Sequence, residues 1–113
     1  MTPNGNQATP TATRRITEAD FQQTVVDMAK ALGWLVYHTQ DSRRSAPGFP
    51  DLVLVRDRIV YLELKTETGK LSLDQQQWIA ALSAAGATAL VVRPSDLGEI
   101  EKALRRRVDR NAA

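Results

Sequence analysis

Residues 51–65 read Asp-Leu-Val-Leu-Val-Arg-Asp-Arg-Ile-Val-Tyr-Leu-Glu-Leu-Lys (DLVLVRDRIVYLELK), and the reading of this stretch decides the fold. Apolar runs at 52–55 and 59–64 flank the short charged segment Arg56-Asp57-Arg58, which marks a hairpin. With the turn centred on Asp57, Val55 faces Ile59, Val53 faces Tyr61 and Asp51 faces Glu63. In that register Leu52, Leu54, Val60, Leu62 and Leu64 share the opposite face. A slip of one residue would mix the two sets, so the hydrophobic pattern itself selects the pairing.

The register opposes two carboxylates, Asp51 and Glu63, with Cβ atoms about 5 Å apart. Like charges placed so are destabilising, and nothing in a hairpin requires them. Lys65 lies two residues beyond Glu63 and therefore on the same face. A hard divalent cation between the carboxylates would turn repulsion into binding. Mg²⁺ suits such a site, because it takes one or two carboxylates and completes its shell with waters and phosphate oxygens. Spacing alone leaves a second reading open, in which Asp51, Glu63 and Lys65 form an ordinary ion-pair cluster on a surface hairpin.

Outward from the hairpin, a first helix follows Thr17. Thr17 and Asp20 have capping-box spacing, with Asp in place of the usual Glu. Phe21, Val25, Met28, Ala29 and Leu32 recur at helical intervals and Gly33 supplies a stop. Trp34–Thr39 reads as a strand, and Gln40–Pro50 as a loop that carries Arg43 and Arg44. Beyond the hairpin, Thr66–Lys70 is a loop. Ser72 caps a second helix running to about Ala85, with Trp78, Ile79 and Leu82 on its apolar face and Gly86 ending it. Ala87–Val92 reads as a buried strand stopped by Pro94, and Ser95 opens a last helix carrying Leu97, Ile100, Leu104 and Val108. The order α-β-β-β-α-β-α predicts an α/β fold, a mixed sheet flanked by helices with a helix at the C-terminus.

At 113 residues the chain has room for one domain. Residues 1–15 are polar, containing Pro, Gly, Asn and Thr and almost nothing apolar, too poor in apolar surface to offset the entropy of ordering, and read as a disordered tail; the domain spans 16–110. The chain has no cysteine, which excludes disulfides and thiolate zinc sites. No apolar run is long enough to cross a membrane, and the N-terminus lacks the apolar centre of a signal peptide. The expected protein is soluble and cytoplasmic. A net charge of +2 permits a polyanionic partner without demanding one.

Pro50-Asp51 followed by Glu63-Leu64-Lys65 resembles the core motif of the PD-(D/E)xK nuclease superfamily. The pieces TEADFQ, LGWLVYHT, GFPDLVLV, LELK, GKLSLDQ and RPSDL, from Thr17 to about Ile100, look like its VRR-NUC branch of virus-type replication and repair nucleases. The resemblance implies a restriction-endonuclease-like core and a role for each matching position. Asp51 and Glu63 would ligate Mg²⁺, for which Mn²⁺ would substitute, helped by the Leu64 carbonyl and by Glu18 on the first helix. Lys65 would be the catalytic lysine, and Gln75 matches the glutamine that follows the core motif on the next helix. It further implies DNA as substrate, branched or otherwise structured, and a homodimer. The loop before GFPD departs from many relatives in being short and carrying Ser42-Arg43-Arg44-Ser45, which bears on substrate preference.

Several residues have plainer readings beside functional ones. Glu18 sits where any acid favours a helix dipole. Gln22 is one turn further along the same face. His38 shares a strand face with Trp34 and Val36 and reads as a packed histidine, and Trp78 fits a core better than a stacking platform. Arg43 and Arg44 precede Asp51 and are placed for phosphate contacts. Lys102, Arg105, Arg106, Arg107 and Arg110 are interleaved with Glu99, Glu101 and Asp109, which favours a solvated helix face. Two further function classes compete with the nuclease: a nucleic-acid-binding module of the same fold without turnover, and a homo-oligomeric interaction protein.

Overall fold

A computed structural model describes residues 16–40 and 46–108. Helix α1 (Glu18–Ala31) is followed by strands β1 (Leu35–His38), β2 (Leu52–Val55) and β3 (Ile59–Leu64). Helix α2 (Leu73–Ala84), strand β4 (Thr88–Val92), a 3₁₀ turn (Pro94–Asp96) and helix α3 (Leu97–Arg105) complete the elements of the described residues. The strands form one mixed sheet in the order β1-β2-β3-β4, antiparallel except for the parallel β3–β4 pair. The expected α/β architecture and element order are both present. Arg43, Arg44 and the segment 1–15 lie outside the described residues.

The hairpin adopts the register that its hydrophobic pattern selects: Val55 pairs with Ile59, Val53 with Tyr61, and Leu52 with Leu62. Leu52, Leu54, Leu62 and Leu64 are at most 1% exposed and pack against Phe21, Val25 and Ala29 of α1 and Ile100 and Leu104 of α3. Those two helices cover one sheet face, and this is where the core lies. Thr17 Oγ1 accepts the Asp20 N–H at 3.0 Å, so the expected cap of α1 forms.

Helix α2 lies on the other sheet face and has no buried residue. Trp78, Ile79 and Leu82, expected on a buried face, are only half-buried. The reason is in the sequence of the helix: LDQQQWIAALSA places small and polar residues all round and has no continuous apolar stripe. His38, expected to be packed, is exposed at the end of β1. The last helix begins at Leu97 rather than Ser95, because Pro94 opens a 3₁₀ turn whose Asp96 carboxylate accepts the Arg93 N–H at 2.8 Å.

The turn at 56–58 does more than reverse the chain. Arg56 and Arg58 stack over the Trp34 ring at 4.4 and 5.0 Å. Their guanidinium groups donate to the carbonyls of Leu32, Ala103 and Arg106, while the indole N–H of Trp34 donates to the Leu104 carbonyl. The C-terminal end of α3, whose carbonyls lack helical partners, is therefore capped by the turn. Asp57 completes the clamp. The backbone N–H of Val108 and the neighbouring Arg56 hold its carboxyl well below the usual carboxylate range.

Candidate active site

Extending the hairpin register one pair beyond Leu52 and Leu62 sets Asp51 against Glu63 on the face shared with Val53 and Tyr61. Asp51 is anchored from both sides: its Oδ2 accepts the Leu64 N–H at 2.8 Å, and its carbonyl accepts the Thr39 N–H at 2.8 Å. The Pro50 carbonyl accepts the Thr39 hydroxyl at 2.7 Å, so β1 holds the Pro-Asp step in place. Glu63 is 2% exposed and is the only buried charged residue among those described. Burial raises its pKa to about 8, and the negative charge of Asp51 adds to the shift. The positive charge of Lys65 works the other way, which shows it within electrostatic reach.

Gln75 reaches the pair from α2. Ser72 and Gln75 form a complete capping box: Ser72 Oγ accepts the Gln75 N–H at 3.1 Å, and Gln75 Oε1 accepts the Ser72 N–H at 2.9 Å. Because the cap engages Oε1, the amide nitrogen points outward and donates to Glu63 Oε2 at 3.0 Å. One residue thus caps the helix and orients a buried carboxylate. The close approach of α2 depends on Gly48, whose φ is +90° and whose missing Cβ would stand 2.5 Å from the backbone carbon of Asp74. Any side chain there would push the Pro50-Asp51 loop off the helix.

Behind Lys65, the loop 66–70 is held by residues that the sequence reading passed over. Arg93 donates to the carbonyls of Thr66 at 2.6 Å, Glu67 at 3.3 Å and Gly69 at 2.7 Å. Glu67 accepts from both the N–H and the hydroxyl of Ser95. Gly69 in turn sits against the Lys65 stem, since a Cβ on it would lie 3.6 Å from Lys65 Cδ. The motif RPSDL was visible in sequence, but nothing local ties Arg93 to a loop 24 residues earlier.

The structure therefore brings together Asp51, Glu63, the Leu64 backbone, Lys65 and Gln75. Glu18 is not brought to them: it is exposed in the first turn of α1, and no group of three His, Asp or Glu side chains converges among the described residues. Gln22, half-buried on α1, makes no hydrogen bond to the site among the described residues. On α3, Lys102 pairs with Glu99 at 3.6 Å and Arg105 with Glu101 at 2.7 Å, as expected of a solvated face.

An Asp51–Glu63 pair fits a hard divalent cation. Glu63 is buried and disfavoured in its charged form by the half-buried Asp51 beside it, and one or two carboxylates, with waters and phosphate oxygens completing the shell, is the donor set that Mg²⁺ uses.

No helix among the described residues is long and apolar enough to cross a membrane. No curated protein is similar to the chain at a significant level. A solved structure of a VRR-NUC domain protein shares the fold, with a TM-score of 0.67 over 85% of this chain and 95% of that one, at 19% identity. The sequence profile of the VRR-NUC domain matches residues 7–96, beginning within the segment read as a tail. With the motif, the fold and the profile in agreement, the chain belongs to the VRR-NUC domain family, a family of nuclease type.

Proposed function

We propose that the protein is a Mg²⁺-dependent deoxyribonuclease, an endonuclease acting on branched or structured DNA as a homodimer. The observation that carries this reading is the buried Glu63 carboxylate set against Asp51, with Lys65 on the same face. A fold alone has no use for that arrangement, and a phosphodiesterase does. Asp51 and Glu63 would hold the ion, aided by the Leu64 carbonyl, with Mn²⁺ able to replace Mg²⁺. Bound there, the ion supplies polarisation of a phosphoryl oxygen and activation of the attacking water. Gln75 keeps the Glu63 carboxylate turned toward the site. Lys65 orients the water and offsets the negative charge that grows on the phosphate as the new P–O bond forms and the P–O bond to the departing sugar oxygen breaks. Arg43 and Arg44, which precede Asp51 in the sequence, would contact the DNA backbone.

The test is a cleavage panel of linear and branched DNAs with Mg²⁺, Mn²⁺, Ca²⁺ and EDTA. Cutting is expected with Mg²⁺ and Mn²⁺ and should stop with chelator, while Ca²⁺ supports binding with little turnover. Lys65→Ala should lower kcat about 100-fold or more while leaving the metal Kd near wild type, because an ammonium is not a ligand. Asp51→Asn should weaken both. Full activity in excess EDTA overturns the metal mechanism, and DNA binding without cutting in any metal would favour a binding module instead.

A further inference from the structure

Beside the carboxylates, the same sheet face carries a tier of aromatic side chains that the proposed chemistry does not use. Phe49 packs edge-on against Trp78, with ring centroids 5.0 Å apart, and against Tyr61 at 6.0 Å. None of the three is buried. With Tyr37, Thr39 and Ala46, Phe49 and Trp78 line an open cleft of about 320 Å³, and Tyr37 is 62% exposed. That volume lies at the lower end of the range of small-molecule clefts, and planar rings wall it.

The position of the cleft gives it meaning. Tyr61 is two residues before Glu63 on β3, so the aromatic tier stands about 7 Å along the strand from the carboxylate tier. Phe49 is two residues before Asp51, and Trp78 is one helical turn beyond Gln75. Among the described residues, no charged side chain lines the cleft. The charged groups are gathered instead at the carboxylate pair and Lys65. A nucleotide divides in the same way, into a charged phosphodiester and a flat, uncharged base.

We infer that this cleft is a subsite for one unpaired nucleobase of the strand being cut, stacked against its aromatic rings while its phosphodiester lies at Asp51 and Glu63. The inference rests on the nuclease reading and adds to it a reason for preferring structured DNA. A base inside a duplex is stacked on both sides and must be pulled out to enter, whereas an unpaired base at a branch or end enters at little cost. Stacking on aromatic rings accepts any base, so the subsite reads strandedness and not sequence.

The experiment maps the cut on a branched DNA with Mg²⁺, then places 2-aminopurine singly at each position around it and titrates the protein with Ca²⁺. A fluorescence change at one position beside the cut is expected, and should be lost in Trp78→Leu, which keeps the apolar volume without the aromatic face. An abasic site at that position should lower wild-type kcat/KM roughly tenfold and leave Trp78→Leu indifferent. Should Trp78→Leu fail to fold, Tyr37→Ser at an exposed position serves as the second variant. A signal that is the same at every position, or that survives both substitutions, overturns the subsite. Failure of wild type to cut any DNA overturns the nuclease reading instead, and the titration, scanned over the branch, still reads the cleft.

Discussion

Glu63 concentrates the physical tension of the molecule. The folded chain holds its proton up to a pKa of about 8, while the unfolded chain releases it near the ordinary value of 4.5. In metal-free protein the folded state therefore binds more protons than the unfolded state between those pH values. Stability should fall as pH rises across that window. Thermal melts in EDTA from pH 4.5 to 8.5 should show this decline, and Glu63→Gln should remove most of it and melt above wild type at pH 8. Glutamine keeps an oxygen for the Gln75 amide, so the comparison isolates the charge. Asp51→Asn should also raise the metal-free melting temperature, by relief of the same repulsion. A flat profile for wild type would show that the pair is not strained.

At the scale of elements, the loop between β3 and α2 and the turn between β2 and β3 are both held by arginines that reach distant carbonyls. Arg93 is the more consequential, since it pins Gly69 and Gly69 backs the Lys65 stem. Arg93→Ala should lower the melting temperature, because three carbonyls lose a charged donor, a change worth about 2–3 kcal/mol. It should also lower kcat about tenfold with KM unchanged, because a lysine misplaced by a fraction of an ångström orients water poorly. Arg93→Lys should restore part of both. A variant with wild-type kcat at a temperature where it is folded would reduce Arg93 to a structural clamp.

At the scale of the whole molecule, the described residues leave part of one sheet face uncovered. Helices α1 and α3 close the core side of the sheet, but on the other side α2 lies toward β3 and β4. Leu35, Val55 and Ile59 form a row across β1, β2 and β3 in paired register, exposed by 74, 39 and 50%. Such a row supports the proposed homodimer, in which a two-fold axis would present two sites to the two strands of a branch. Light scattering should give about twice the chain mass of 12.5 kDa, and Val55→Lys should shift it toward one copy. Binding of a four-way junction should weaken steeply with salt, and Arg43→Ala with Arg44→Ala should flatten that slope without changing metal affinity. A monomer cutting junction and linear duplex equally well would rule out the dimer and leave the nuclease reading standing.

By itself the sequence determined the elements, the hairpin register and the opposition of Asp51 to Glu63. Each of these follows from local rules: helical and two-residue periodicity, caps within one turn, and a face pattern that tolerates no slip. The placement of Lys65 follows from the same register, and Gln75 was legible through the family motif. What only the tertiary structure decided depends on contacts between residues far apart in the chain. Burial of Glu63 comes from α2 closing over β3, which Gly48 permits by its close approach to Asp74. The Arg93 clamp and the stack of Arg56 and Arg58 on Trp34 join carbonyls and rings more than twenty residues away. Trp78 moved from an expected core position to the wall of a cleft, because whether an aromatic residue on a weakly amphipathic helix is covered depends on the neighbouring loop and sheet. Periodicity tells which residues share a face; only packing tells what that face meets.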